Sequence, residues 1–202
     1  MAAREDMALI KESLVESSQL KLRVAGDCAE AIAEAARLIG DAFLNGRKVL
    51  LCGNGGSAAD AQHIAGEFVG RFRLERAALP AIALNVNTSV VTAIGNDYGF
   101  ERIFARQVEA LAVPGDVLIG ISTSGESENV ALAMEVARGA GCGTVALVGQ
   151  TLGRVGAEAD VAISIPSSDT PRIQESHIAV AHIVCELVER RVVAEASKGA
   201  QR

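Results

Sequence analysis

The side chains best suited to proton transfer or metal binding fall in two segments. His63 and Glu67 lie in AADAQHIAGEFVGR, while His177 and His182 lie with Gln174 and Glu175 in TPRIQESHIAVAHIVCELVE. These are the three histidines of the chain. An imidazole and a carboxylate at i and i+4 share a helix face about one turn apart. Such a pair is either a solvated hydrogen bond or a metal ligand beside a base. In a chain so poor in histidine, the second imidazole-bearing segment favours a shared site. At 100° per residue, Glu175 falls about 20° around the helix from His182, Gln174 about 80° and His177 about 140°. Spacing alone selects Glu175 as the partner of His182 and leaves His177 as a support or surface residue.

Two loops add anion chemistry. Leu50-Leu51-Cys52 leads into Gly53-Asn54-Gly55-Gly56-Ser57 and an alanine-rich helix. Glycines let a ligand approach the backbone, and a helix start offers unpaired N–H groups at its positive dipole end. The Ser57/Asp60 spacing resembles a capping box with Asp in place of Glu. A dinucleotide site would need an acid at the end of the following strand, yet Ala81 to Leu84 ends in Asn85. The Walker pattern fails too, because no Lys-Ser/Thr follows the glycines. The second loop, Ser122-Thr123-Ser124-Gly125-Glu126-Ser127, carries four hydroxyl residues between an apolar run and a helix start. One of them, Ser127, serves as a helix cap, and four exceed what a cap needs. This loop fits a phosphomonoester.

The elements that must position these groups are legible in the apolar pattern. Arg4 to Gly46 reads as two helices, broken and capped at Gly26-Asp27 and closed by Asn45-Gly46. Five short apolar runs follow: Lys48 to Cys52, Ala81 to Leu84, Val117 to Ile121, Thr144 to Val148 and Val161 to Ile165. Near-continuous Val/Ile/Leu/Ala runs suit strands covered on both faces, which predicts a doubly wound α/β sandwich on a parallel sheet. Ligands in such sheets bind beyond the carboxyl ends of the strands, here the loops beginning at Gly53, Asn85, Ser122 and Gly149. A long helix from Thr170 to about Ala196, with Pro171 in its first turn, precedes a polar tail, 197–202, expected to fray.

Composition bounds the rest. The 202 residues suit one domain, 1–202, with aromatics at only 3% and a core of Ala, Val, Ile and Leu. A net charge of -6 argues against a nucleic-acid surface. Arg71, Arg73 and Arg76, and Arg190 with Arg191, stand among acids and read mainly as solvated faces. Cys28, Cys52, Cys142 and Cys185 are widely spaced and read as buried thiols in a reducing compartment. The N-terminus has neither a leader nor an anchor pattern, so a cytoplasmic location is expected, with no membrane partner.

GNGGS after the first strand and STSGES after a later one, with AADAQHIAGEF, AIGNDYGFE, FARQVEAL, GDVLIGISTSG and the terminal IPSSDTPRIQESHIAVAHIVCELVE, together resemble the sugar isomerase (SIS) family. The match runs from roughly Ala42 to Glu189. The resemblance implies a five-stranded parallel sandwich that turns sedoheptulose 7-phosphate into an aldose phosphate through an enediol or enediolate. It implies one Zn²⁺ per subunit on His63, Glu67, Gln174 and His182, with Glu67 as base and His182 as acid. Gln174 as ligand rests on the resemblance, since spacing chooses Glu175. It further implies substrate contacts from Asn54, Gly55, Gly56, Glu67, Asn96, Asp97, Ser122, Thr123, Ser124, Ser127 and Gln174. The phosphate falls to Ser122–Ser127, and the turn at Asn54 to Gly56 lies along the reactive end of the sugar. Arg71, read as four residues beyond Glu67 on the same helix, is within reach of a phosphate, in this subunit's site or a neighbour's. Thr170-Pro171 departs from the pattern, since some members carry an aspartate before the arginine; Asp169 is a substitute. The family forms homotetramers with shared sites, which the N-terminal helices at 1–46 would suit. The alternative is a non-catalytic sugar-phosphate binder or replication-initiation adaptor on the same fold. The presence of His63, Glu67 and His182 favours the enzyme.

Overall fold

The computed structural model describes residues 2–199. Its five strands are β1 (Val49–Gly53), β2 (Ala81–Ala83), β3 (Val117–Ser122), β4 (Gly143–Val148) and β5 (Val161–Ser164). All pairings are parallel, in the order β2-β1-β3-β4-β5. Each strand lies within a residue or so of the apolar run that foretold it. Alternate residues divide between two cores. Val49, Leu51, Val117, Ile119, Ile121, Val145, Leu147 and Ile163 face one core, built with α2 (Ala29–Leu44), α3 (Gly56–Val69) and α8 (Thr170–Gly199). Leu50, Cys52, Leu118, Ala146 and Val148 face the other, built with α5 (Ala105–Leu111), α6 (Glu128–Gly139) and the short α7 (Gly153–Ala157). Both faces are covered, so the strands need no polar side. That is why they read as continuous apolar runs.

The chain leaves β1 toward β2 on one side and returns through β3 toward β4 on the other. The crevice between β1 and β3 is therefore the topological switch point, where such sheets bind ligands. Gly53 pairs in register with Ile121, so the glycine turn and the serine loop leave the sheet side by side.

Three details of the helices differ from expectation. The first helix, α1 (Ala2–Asp27), runs through Gly26 and Asp27, and the break falls at Cys28, with no side-chain cap. The Cys28 thiol donates to the Ser164 carbonyl at 3.2 Å, which ties the break to β5. The second is the start of α3, where Gly55 is the N-cap and Ser57 is already helical, so the expected capping box is absent. The third is α8, which includes residues 197–199; Ser197 Oγ donates to Val193 O at 2.9 Å, and Lys198 pairs with Glu195. The remainder of the expected frayed tail lies outside the described residues. Asn45 and Gly46, with φ +70°, close α2 as expected. The helix after β2, α4 (Thr88–Tyr98), is capped by the Asn87 side chain and has no buried residue.

Among the described residues, no helix is long and apolar enough to cross a membrane.

Candidate active site

α3 and α8 lie side by side and run the same way, because their contacts progress together. Gln174 meets the start of α3 at Gly56, and His182 meets His63 further along. His63 Nε2 and His182 Nε2 are 2.9 Å apart, and His63 Nε2 is 3.4 Å from Glu67 Oε1. One ligand-capable atom from each of the three residues lies within 4.8 Å of the other two. His63 is about half exposed, whereas the Glu67 side chain is 22% exposed, so the cluster opens outward from a partly dry base. The i, i+4 reading of His63 and Glu67 is what brings their head groups together on α3. His182 completes the cluster from a distant part of the chain.

The donor set fits a zinc ion. Two facing imidazole nitrogens can share only one proton, and a cation between them satisfies both lone pairs at once. Two nitrogens each about 2.0 Å from a tetrahedral ion stand roughly 3.3 Å apart, close to what is seen here. With a carboxylate oxygen as a third ligand, such an ion keeps a position open for a substrate oxygen.

Gln174 lies two turns before His182, an axial rise of about 12 Å. Its carboxamide packs on the glycine turn; a Cβ at Gly56 would come within 2.4 Å of Gln174 Nε2. Glu175, the choice from spacing, turns away and accepts from Arg172 Nη1 at 2.8 Å. The glycine turn is held from behind. Asn54 and Asn129 exchange amide hydrogen bonds at 2.8 and 2.9 Å, and Asn85 Nδ2 donates to Gly53 O at 2.6 Å. Gly55 adopts φ +56°, and a Cβ on Gly53 would press on Ser57 at 2.8 Å. Asn129 is buried in the first turn of α6 and was not foreseen from sequence; its place just after the hydroxyl-rich loop is the only signal it gives. Asp60, the other half of the absent capping box, has Oδ2 buried with no hydrogen-bond partner among the described residues. Burial raises its pKa, and the neighbouring His63 opposes that shift.

The serine loop closes over itself as an oxygen cluster. Ser122 Oγ lies 2.9 Å from Ser127 Oγ and 3.4 Å from Ser124 Oγ, and Ser124 Oγ accepts from the Glu126 N–H at 3.2 Å. Ser127 holds the N-cap position of α6 with no side-chain cap bond, so its hydroxyl belongs to this cluster. Thr123 and Ser124 also line a cleft of about 260 Å³ with Gln150, Thr151 and Ser167.

The remaining candidates are more dispersed. Asn96 and Asp97 sit exposed in the last turn of α4, where Asn96 Nδ2 donates to Asp97 Oδ1 at 2.7 Å. Arg71 is not on the Glu67 helix, because α3 ends at Val69; it lies in the following loop, exposed, 3.6 Å from Glu75. Asp169 is 3.8 Å from Arg172. His177 is fully buried, facing the Val148 carbonyl at 3.1 Å through Nε2. It is a support, and not a surface residue. Arg76, read from sequence as solvated, is buried beside Glu189, whereas Arg73, Arg190 and Arg191 remain exposed.

Residues 14–149 match the SIS domain family. The chain is 57% identical over 183 residues to a phosphoheptose isomerase of Trichlorobacter lovleyi, covering 91% of this chain and 93% of that one. It is 58% identical over 166 residues to a phosphoheptose isomerase of Geobacter sulfurreducens, covering 82% and 88%. Among solved structures, a phosphoheptose isomerase from Neisseria gonorrhoeae superposes with a TM-score of 0.86 at 41% identity, over 91% of this chain and 98% of that one. One from Francisella tularensis gives 0.88 at 38% identity, over 92% and 98%. A family match over most of the chain, relatives above half identity along nearly their whole length and a shared five-stranded parallel fold converge: the chain belongs to the SIS domain family.

Proposed function

We propose that this protein is a phosphoheptose isomerase: it converts D-sedoheptulose 7-phosphate to D-glycero-D-manno-heptose 7-phosphate, the first step toward nucleotide-activated heptose. The observation that carries the reading is the meeting of His63, Glu67 and His182 between α3 and α8, in a chain whose relatives carry that name. Ser122, Thr123, Ser124 and Ser127 hold the phosphate, helped by the N-terminus of α6. Asn54, Gly55, Gly56 and Gln174 line the reactive end of the sugar, and Asn96 and Asp97 bind its hydroxyls. Glu67 takes a proton from carbon 1 and returns it to carbon 2, and His182 moves a proton between the two oxygens. His63, Glu67, Gln174 and His182 hold one zinc ion per subunit. When bound, the ion polarises the carbonyl and stabilises negative charge as it develops.

The enzyme is one SIS domain, cytoplasmic, with no nucleic-acid or membrane partner, and it works as a homotetramer with shared sites. Exposed apolar side chains support the assembly. Met7, Leu9, Leu14 and Leu22 on α1 are each more than half exposed, and Val86, Val90, Ile94 and Tyr98 border a groove of about 550 Å³ along α4. Asn96 and Asp97 stand at the end of that uncovered helix.

The test is conversion itself. Purified protein, stripped with a chelator and then given back Zn²⁺, is incubated with sedoheptulose 7-phosphate, and aldose formation is followed by NMR. Aldose appears with the metal restored; its absence in every metal state rules the function out.

A further inference from the structure

Seven residues beyond His182, on the same face of α8, Glu189 is buried and makes no contact in the cluster of His63, Glu67 and His182. Its carboxylate instead accepts three consecutive backbone N–H groups from the loop that follows α3. Phe72 N–H donates to Oε1 at 2.9 Å, and Arg73 and Leu74 N–H donate to Oε2 at 2.7 and 2.8 Å. Arg76 Nε stands 3.2 Å from Oε1 as a charge contact. The guanidinium then reaches back to the end of α3. Nη2 donates to the carbonyl of Glu67 itself at 2.9 Å, and Nη1 donates to Phe68 O at 2.9 Å and Ala77 O at 3.0 Å. The loop so held lays the Phe72 ring against the imidazole of His182, with centroids 5.4 Å apart at a tilt of 35°.

One buried ion pair thus touches the supports of both reacting groups: the backbone of Glu67 through Arg76, and the ring of His182 through Phe72. A buried charge pair is a weak source of stability, because desolvation cancels most of its attraction. Its value lies in fixing one geometry, since three N–H groups and a guanidinium leave the carboxylate a single position. We infer that Glu189 and Arg76 are positioning residues for the isomerase, a clasp that sets the register of α3 against α8 and so aligns Glu67 with His182. This rests on the proposed function, because it assigns Glu67 and His182 the proton transfers. None of these contacts involves the serine loop. The clasp therefore governs turnover, not substrate capture.

The experiment compares Glu189→Gln, Arg76→Lys and Phe72→Leu with wild type in the zinc-loaded enzyme. A displacement near 1 Å at a reacting group costs on the order of 100-fold. Glu189→Gln and Arg76→Lys are expected to lower kcat by about 30-fold or more, with KM for sedoheptulose 7-phosphate within about threefold. Phe72→Leu keeps the fold, since Phe72 is only partly buried, and is expected to lower kcat by about tenfold. Val108→Ala, a cavity in the opposite core, lowers stability and keeps wild-type kcat. In NMR, the Phe72 ring current shifts the His182 ring protons; the shift disappears in Phe72→Leu and weakens in Glu189→Gln while thermal unfolding stays cooperative. If one clasp variant fails to fold, the other decides; if both fail, the kcat of Phe72→Leu decides. Folded variants with wild-type kcat, or with losses confined to KM, overturn the inference. A wild type that makes no aldose sinks the functional reading instead, and an absent ring-current shift in wild type overturns the clasp independently of activity.

Discussion

His63 and His182 face each other nitrogen to nitrogen at 2.9 Å, although one belongs to α3 and the other to the C-terminal helix. Neutral imidazoles in that position must take opposite roles, one donating and one accepting. Two coordinated imidazoles need no such arrangement. The contact is what makes the two helices one site.

His63→Ala removes one of the two facing nitrogens. Loss of a mere supporting contact around a metal costs about 10- to 100-fold in affinity, so loss of a ligand is expected to weaken Zn²⁺ binding by at least about 100-fold. Competition against a chromophoric chelator measures it. Unchanged affinity would mean that the imidazole pair is structural.

Gly56→Ala separates function from stability. The atoms nearest the new Cβ belong to the amide tip of Gln174, with Nε2 at 2.4 Å, and Gly56 has no left-handed backbone to strain. Gly56 is the first residue of α3, where alanine gains less than the ~0.5–1 kcal/mol it has over glycine in a helix interior, so the melting temperature stays nearly level. Displacing Gln174 disturbs both a substrate hydrogen bond and one of the four proposed zinc ligands, so KM rises by at least roughly tenfold and Zn²⁺ binding weakens. A wild-type KM would place Gln174 outside the substrate cavity.

The sheet was legible because a strand buried on both faces has no choice but a continuous apolar run. The side-by-side placement of the glycine and serine loops was not, since parallel direction alone does not choose neighbours; the order β2-β1-β3-β4-β5 sets β1 beside β3. What a helical wheel cannot supply is the identity of the neighbouring surface. Glu175 shares the angle of His182, yet Arg172 beside it takes its carboxylate, while Gln174 faces the one residue, Gly56, that leaves room for it. Arg76 is a related case. Among exposed arginines and acids it looked solvated, and only the arrival of Glu189 from α8 makes burial tolerable. The Ser57/Asp60 box failed because Gly55, at φ +56°, starts the helix two residues earlier than a serine cap would allow.

His177 sets an acid limit on stability. Burial lowers its pKa from 6.5 to about 4, against the raising effect of the Val148 carbonyl. The folded protein holds it neutral, while the unfolded chain binds a proton near pH 6.5. Its contribution is therefore complete above about pH 6.5 and is lost as pH falls from there toward 4, by about 3 kcal/mol in total. Urea unfolding at stepped pH should show this decline, and His177→Gln should flatten it. An equal decline in the variant would assign the acid sensitivity to other groups.

The most direct measurement concerns the proton that Glu67 is assigned to carry. In heavy water, wild-type enzyme turning over sedoheptulose 7-phosphate should place deuterium at carbon 2 of the aldose. It should also wash deuterium into carbon 1 of the recovered ketose. With Glu67→Gln, both exchanges should fall by about 100- to 10,000-fold, the usual range for a lost general base, while phosphate-dependent binding persists. Deuterium exchange at the wild-type rate in that variant would contradict the account.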